Sequence, residues 1–391
     1  MGSVEVTRPR VAIYNLYWAT YGGGEQVSGA IAEALKARCD VTLLGPEEPN
    51  VEATRARLGV DLSGCAWRKV VDDTEAGEAS ANFDVFINGT YRSHSVNQAP
   101  IGLYYVHFPE PPITSRRQTV DKIARVGLGA MKAAPRLPDR LAGVQRGLQR
   151  RVIDQSWSKS YTKFLSNSTY TAGWVKKLWG AESEIVYPPV RTTVKPGKKV
   201  ELITSIGRFF DPSLGHSKKQ HELLEVFTRM FSSHEGLGDW SLSFVGGADG
   251  ASRDYALAVR RGAIGLPVKV NLNAPRELVE TTLATASIYW HGGGFGEDAD
   301  LHPERFEHFG IAVVESMAAG AVPVVFAAAG PAEIVRHGVD GFHWKTLDEV
   351  QSFTRQLMND EELRLKMSSA AQSRAADFGV DVFVERINSL I

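Results

Sequence analysis

Residues 10–45 read RVAIYNLYWATYGGGEQVSGAIAEALKARCDVTLLG. The run RVAIYNLYW is strand-like, three glycines at Gly22–Gly24 follow, VSGAIAEALKAR has a helical period, and DVTLLG is a second apolar run. Strand, glycine turn, helix and strand in that order make a βαβ unit, the element from which parallel sheets are built. Downstream, FDVFING and IGLYYVHFP read as two further buried strands, and KFLSNSTYTAGWVKKLWGAESEIVYPPV supplies a short strand, a helix from about Thr169 and a strand closed by prolines. The stretch RTTVKPGKK is rich in proline, glycine and lysine and is the expected linker. The pattern then begins again: strands ELITSIGRF, WSLSFVGG, SIYWHG and VPVVF alternate with helices KQHELLEVFTRM, RDYALAVRRGAI and RELVETTLATA, the last entered through VKVNLNA, and AEIVRHG and the final helices follow. Two successive βαβ-rich halves predict an α/β protein of two doubly wound, Rossmann-like domains facing a central cleft. The expected boundaries are 1–194, 195–375 and a C-terminal helical segment, 376–391, crossing back to the first domain.

The bulk properties agree with two globular domains and narrow the function classes. A chain of 391 residues is too long for one ordinary core. Its 43% apolar and 23% charged residues are ordinary globular values, and a net charge of −1 gives no global attraction to nucleic acid. Two cysteines, Cys39 and Cys65, fit a reducing compartment and neither a disulfide framework nor a zinc site. The start MGSVEVTRPR has no apolar core of a secretory signal, and the longest apolar stretch is broken by Pro323, so the expectation is a soluble, cytoplasmic protein. One segment departs from neutrality. Residues 114–153 carry ten Lys/Arg against two Asp and are helical in period, which fits either a solvated helical insert or a contact with an anionic acceptor or membrane surface.

Five stretches could carry chemistry. In YGGGEQ, Gly23 and Gly24 lie between a strand and its helix, where backbone approaches a ligand closely and the helix N-terminus favours anions; no G-K-[ST] of a P-loop follows. In SIGRFFDPSLGHSKKQ, Arg208 follows a strand and Lys218 precedes a helix, two cations suited to a diphosphate and to its stabilisation as it leaves. His107 in YYVHFPEPP and His291 in YWHGGGFGED end strands at the carboxyl edge, where open α/β sheets bind ligands. In EHFGIAVVESMAAGAVPVV, Gly310 allows a tight turn into a helix from about Ile311 to Ala319, with Glu307 before it and Glu315 one turn in. At 1.5 Å per residue the two carboxylates fall roughly 6–10 Å apart along the axis. That suits a ligand with hydroxyls at both ends and an anionic middle over the N–H groups of Phe309, Gly310 and Ile311, and it also permits an inverting acid/base pair.

Taken together, these segments resemble the retaining GT-B glycosyltransferases of family 4 over nearly the whole chain. The motifs that carry the resemblance are SIGRF with Lys218, HPERFEHFGIAVVESMAAGAVPVV and GPAEIVRHGVDGF, with GGGEQ, YYVHFP and LSNSTYTAGWVKKLWG in the expected order. The details look similar to bacterial relatives of the mannosyltransferases that extend dolichol-linked oligosaccharides. The resemblance implies that Glu307 contacts the donor sugar with the amides of Phe309, Gly310 and Ile311, and that Glu315 holds the ribose. It implies that Arg208 and Lys218 bind the donor diphosphate, with Lys219 the rival for Lys218 because the family often has K-G where this chain has K-K. It places Gly23 and Gly24 near the phosphates and acceptor, His107 beside the reacting sugar, and His291 in the donor site. The insert GFGEDADLHPER lengthens the loop before Glu307, a departure that leaves the roles of His291 and of this loop open.

The implied activity is transfer of a hexose, with retention, from a nucleoside-diphosphate sugar (GDP-mannose or a UDP-sugar) to a hydroxyl of a glycan, lipid-linked or small-molecule acceptor. No Asp-x-Asp motif is present where a metal-dependent, single-domain transferase would want one, so metal-independent transfer with no cofactor is expected. The expected location is cytoplasmic, with residues 114–153 as the route to a peripheral contact at the inner face of the membrane. The alternatives are a GT-B sugar-nucleotide epimerase, a phosphorylase-like enzyme, or a non-catalytic sugar-binding relative.

Overall fold

A computed structural model describes residues 8–110, 155–192, 194–233 and 237–391. The basic segment 114–153 therefore lies outside the described residues, as does every expectation attached to it. The chain parts into two compact units. One comprises the described residues up to Leu165 together with Gly173–Glu184; the other comprises Ser166–Ala172 and Ile185–Ile391.

The first unit is organised on a seven-stranded sheet. Its strands are β1 (Arg10–Tyr14), β2 (Asp40–Gly45), β3 (Ala66–Lys69), β4 (Val85–Asn88), β5 (Ile101–Val106), β6 (Lys163–Ser166) and β7 (Ser183–Ile185), in the order β3-β2-β1-β4-β5-β6-β7. The opening stretch folds as its pattern predicts: β1 and β2 are parallel, with Ile13 opposite Leu43, and helix α1 (Gly23–Leu35) crosses between them. Val11–Tyr14 are wholly buried, as strands covered on both faces must be. Helices α2 (Val51–Leu58) and α3 (Asp73–Ser80) complete the crossovers on the β2–β3–β4 side. Neither helix, nor the exposed edge strand β3, carries enough apolar periodicity to be read from sequence. Asp72 caps α3 instead, accepting from the N–H groups of Thr74 at 2.9 Å and Glu75 at 3.0 Å.

The second unit repeats the plan with six strands. These are β8 (Val200–Ile206), β9 (Ser241–Gly246), β10 (Val268–Leu272), β11 (Ala286–His291), β12 (Val322–Phe326) and β13 (Phe342–Trp344), all parallel, in the order β10-β9-β8-β11-β12-β13. Phe227, Phe244, Trp290 and Trp344 are wholly buried in the cluster on one face, and Tyr289, Val313 and Met317 in that on the other. Each large apolar group so buried contributes about 1.5–3 kcal/mol. The proline-rich segment after β7 packs on this unit: the Val190 N–H donates to the Phe378 carbonyl at 3.0 Å, and the Tyr187 and Phe378 rings lie 5.0 Å apart. Residues 185–199 and 376–391 accordingly group with the second unit.

In both sheets the order reverses beside the first strand, between β1 and β4 and between β8 and β11. Connections leave such a point in opposite directions, and the gap at the carboxyl ends of the strands is where open α/β sheets bind ligands. Among the described residues, no helix is long and apolar enough to cross a membrane.

Candidate functional site

At the switch point of the second sheet, the loop after β8 and the loop after β11 bring three of the expected residues together. The Lys218 ammonium forms an ion pair with Glu307 Oε2, and the His291 Nε2 lies 3.3 Å from the same oxygen. Lys218 and Glu307 keep about a fifth of their side-chain surface exposed (23% and 21%), whereas His291 keeps 4%. Burial works to raise the Glu307 carboxyl, but the Lys218 charge and the His291 hydrogen bond outweigh it and hold the group well below the usual carboxylate range. Burial lowers the His291 ring despite Glu307 beside it, so the imidazole is neutral and donates from Nε2 to the carboxylate. Its Nδ1 is buried with no hydrogen-bond partner among the described residues.

Glu307 is followed by the predicted helix, α8, over Ile311–Ala318. Gly310 occupies its N-cap at φ +116°, in the half of φ space that L side chains rarely adopt, and no side chain caps the helix. The first N–H groups of α8 therefore point out with the positive end of its dipole, directly after the carboxylate. Glu315 does not share the Lys218 cluster. Its Oε1 accepts from Arg276 Nη2 at 3.0 Å, and Arg276 also holds Glu280 at 2.8 Å. Arg208 is exposed at the start of the loop after β8 and lines a cavity of about 260 Å³ with Phe210, Gly247, Asp249, Ser252 and Asn273. The Ser252 hydroxyl there is buried without a hydrogen-bond partner among the described residues.

Lys219 turns away from its neighbour. Its ammonium lies 2.7 Å from Glu297 Oε1, and the other Glu297 oxygen takes Arg305 Nη1 at 3.1 Å. The structure thus separates the two rivals, with Lys218 on Glu307 and Lys219 on the insert loop. His308, next to Glu307, also escaped the sequence reading. Burial, with His216 adding to it, lowers its ring to about 3 and keeps it neutral. Nothing in the spacing of Glu297, Arg276 or His308 marks them, because Lys219, Glu315 and His216, the groups they meet, come from segments distant in sequence.

In the first unit, Gly24 and His107 meet at the other switch point. A Cβ on Gly24 would sit 3.4 Å from His107 Nε2, and that nitrogen lies 3.0 Å from the Gly89 carbonyl oxygen. Burial lowers the His107 ring, so it too is neutral. The turn owes its shape to Glu25, whose carboxylate accepts from the Gly22 N–H at 2.6 Å and the Thr20 hydroxyl at 2.8 Å. A glutamate at the third helical position is a cap signal the sequence did contain.

With this geometry in place, comparison with known proteins is informative. Residues 194–374 match the family described as glycosyl transferases group 1. This stretch is a glycosyl transferases group 1 domain. It contains every second-unit residue of the candidate site described above, from Arg208 to Glu315. A GDP-Man:Man(3)GlcNAc(2)-PP-Dol alpha-1,2-mannosyltransferase of Dictyostelium discoideum is 29% identical over 243 residues, 57% of this chain and 46% of that protein. The chain therefore spans less than half the length of this curated relative. Anabaena HepE, solved in complex with UDP, aligns with a TM-score of 0.67 at 15% identity, covering 97% of this chain and 99% of that one. WaaG, a glycosyltransferase involved in lipopolysaccharide biosynthesis, aligns with a TM-score of 0.59 at 14% identity over 98% and 99%. The fold is GT-B, two parallel-sheet α/β domains, as the sequence predicts.

Proposed function

We propose that this protein transfers a hexose, with retention, from a nucleoside-diphosphate sugar to a hydroxyl of a glycan, lipid-linked or small-molecule acceptor. The observation that carries the reading is the pair of Lys218 and Glu307 at the N-terminus of α8, within the group 1 domain. Two opposite charges side by side can each exchange the other for ligand, the ammonium taking a phosphate oxygen and the carboxylate taking sugar hydroxyls. The N–H groups of Phe309, Gly310 and Ile311 add a fixed positive end for a diphosphate. The exposed Arg208 supplies a second cation beside a cavity with room for more of a nucleotide. Glu315, already engaged with a guanidinium, is suited to accept from ribose hydroxyls.

In the proposed step, the bond from the sugar anomeric carbon to the diphosphate oxygen breaks, and Arg208, Lys218 and α8 stabilise the departing charge. The acceptor oxygen bonds to the anomeric carbon on the same face, and its proton passes to the leaving phosphate oxygen. The nucleoside diphosphate then departs. No enzymatic nucleophile is required, and the neutral His291 holds the Glu307 carboxylate in place. GDP-mannose is the first donor to test, because the Dictyostelium relative bears that donor in its name, with UDP-sugars as the alternative.

Two measurements test the proposal. A thermal-shift series with GDP, UDP, ADP and dTDP is expected to raise the melting temperature with one of them, since a ligand that binds only the native state stabilises it. NMR of the first-formed product is expected to show the anomeric configuration of the donor, with activity that survives a chelator. An inverted product would rule out the mechanism, and the absence of any nucleotide stabilisation would rule out the donor site.

A further inference from the structure

We infer that Glu297, on the insert loop, is a positioning residue that decides which of two adjacent lysines serves the anion site: by holding Lys219 it leaves Lys218 alone opposite Glu307. The inference rests on the reading of Lys218 as a ligand of the donor diphosphate.

Lys218 and Lys219 carry the same group on adjoining α-carbons, so chemistry does not choose between them. Backbone and counter-ions do. Lys219 is the N-cap of the helix Gln220–Phe231, with φ +57° and ψ +38°. Glycine adopts this left-handed conformation freely and a lysine does not, which gives a physical reason for a glycine at this place in the resembling family. A side chain kept there persists only where its surroundings over-determine it. Those surroundings are Glu297 at 2.7 Å, itself held by Arg305 at 3.1 Å, with Lys219 and Glu297 only 7% and 11% exposed. Burial raises the Glu297 carboxyl, but the two cations outweigh it and keep it ionised.

The two stems lie against different glycines. A Cβ on Gly207 would lie 2.9 Å from Lys218 Cγ, whereas one on Gly292 would lie 3.1 Å from Lys219 Cβ. Gly293, the next residue, faces Glu307, since its Cβ would be 3.7 Å from Glu307 Cβ. Lys219 thus starts one residue from the glycine that borders the anion site, and its flexible four-carbon stem can cover that distance once released. The loop that ends in Glu307 therefore also carries, ten residues earlier, the carboxylate that withdraws the second cation.

The test is a coupling experiment: Lys218→Ala is measured in the wild-type and in the Glu297→Gln background, by nucleoside diphosphate release from the sugar nucleotide turned over and by binding of GDP and UDP. In the wild-type background the substitution is expected to lower kcat/KM by about 10²–10³. In the Glu297→Gln background, where Lys219 is free to take over, the loss is expected to shrink to about tenfold or less, a coupling that residues in contact with a shared ligand display. Adding Lys219→Met to Glu297→Gln is expected to restore the full loss. An equal loss of Lys218 function in both backgrounds, or a rescue that survives Lys219→Met, would overturn the inference while leaving the clamp reading intact. No loss from Lys218→Ala in the wild-type background would instead refute the clamp reading, and the inference with it. Should Glu297→Gln not fold, Glu297→Asp, which keeps the charge but shortens its reach, carries the same comparison: a reduced Lys218 dependence supports the inference and an unchanged one overturns it.

Discussion

Gly310→Ala tests whether the helix start that follows Glu307 is set by backbone conformation. At φ +116° and ψ +61° the residue lies beyond even the small left-handed region open to L side chains. An alanine there costs about 1–2 kcal/mol in local strain. Its Cβ would meet Val313 Cγ2 at 3.2 Å, with Glu307 Cγ and Pro331 Cγ both at 3.6 Å. Val313 is wholly buried, so it can yield only by leaving its rotamer, at about 0.5–1.5 kcal/mol. The sum is about 1.5–3.5 kcal/mol, and for a unit of this size each kcal/mol moves Tm by about 2–4 °C. Thermal unfolding followed by circular dichroism should therefore show the second unit melting about 3–14 °C lower. Donor turnover should fall further than this instability explains, because Glu307 and the first amides of α8 shift together. Gly265→Ala is the control. It has φ +83°, is exposed, and has nothing within 4 Å of its Cβ, so it carries the strain without the contact or the site. The reasoning fails if Gly310→Ala melts no lower than Gly265→Ala, or if both turn over donor equally.

Three further outcomes follow from the same geometry. Glu315→Gln should weaken binding of the ribonucleoside diphosphate by about 10–100-fold, the value of a hydrogen bond to a charged group, and should weaken its 2′,3′-dideoxy analogue far less; equal losses by calorimetry would detach Glu315 from the ribose. His308 is held neutral with its folded value lowered to about 3 from 6.5, so the unfolded chain binds the extra proton and stability falls as pH drops from 6.5 toward 3. Urea denaturation should show that His308→Gln flattens this slope, and an unchanged slope would place the acid sensitivity elsewhere. Residues 114–153, with their ten Lys/Arg, should drive co-sedimentation with anionic vesicles that high salt abolishes, and absence of binding at low salt would count against a membrane role for the segment.

The sheets were legible because buried parallel strands are continuous apolar runs, and β1, β8 and β12 needed no tertiary information. Helices α2 and α3 and strand β3 were not: α2 buries only Thr54 and Leu58, α3 packs small residues such as Ala76 and Ala79 that make no strong apolar stripe, and β3 is an exposed edge strand. The site divides in the same way. Lys218, Glu307 and His291 sit at strand ends and a helix start, positions that sequence order marks, and the fold brings them to one oxygen. The choice between Lys218 and Lys219 stayed open because it depends on Glu297 and Arg305, 78 and 86 residues further along the chain, and on a left-handed backbone at a lysine. Arg276 on Glu315 is hidden for the same reason: the partner is 39 residues away on another helix. Long-range charge pairing leaves no periodicity.

The central claim is that Lys218 stabilises a departing nucleoside diphosphate, and its most direct test is nucleoside diphosphate release from GDP-mannose and UDP-sugars by the wild-type protein and by Lys218→Ala. One donor should be consumed by the wild type, with kcat/KM lower by about 10²–10³ in a folded Lys218→Ala protein. Equal rates for the two proteins would contradict the account, as would a wild-type protein that consumes none of these donors in the presence of acceptor hydroxyls.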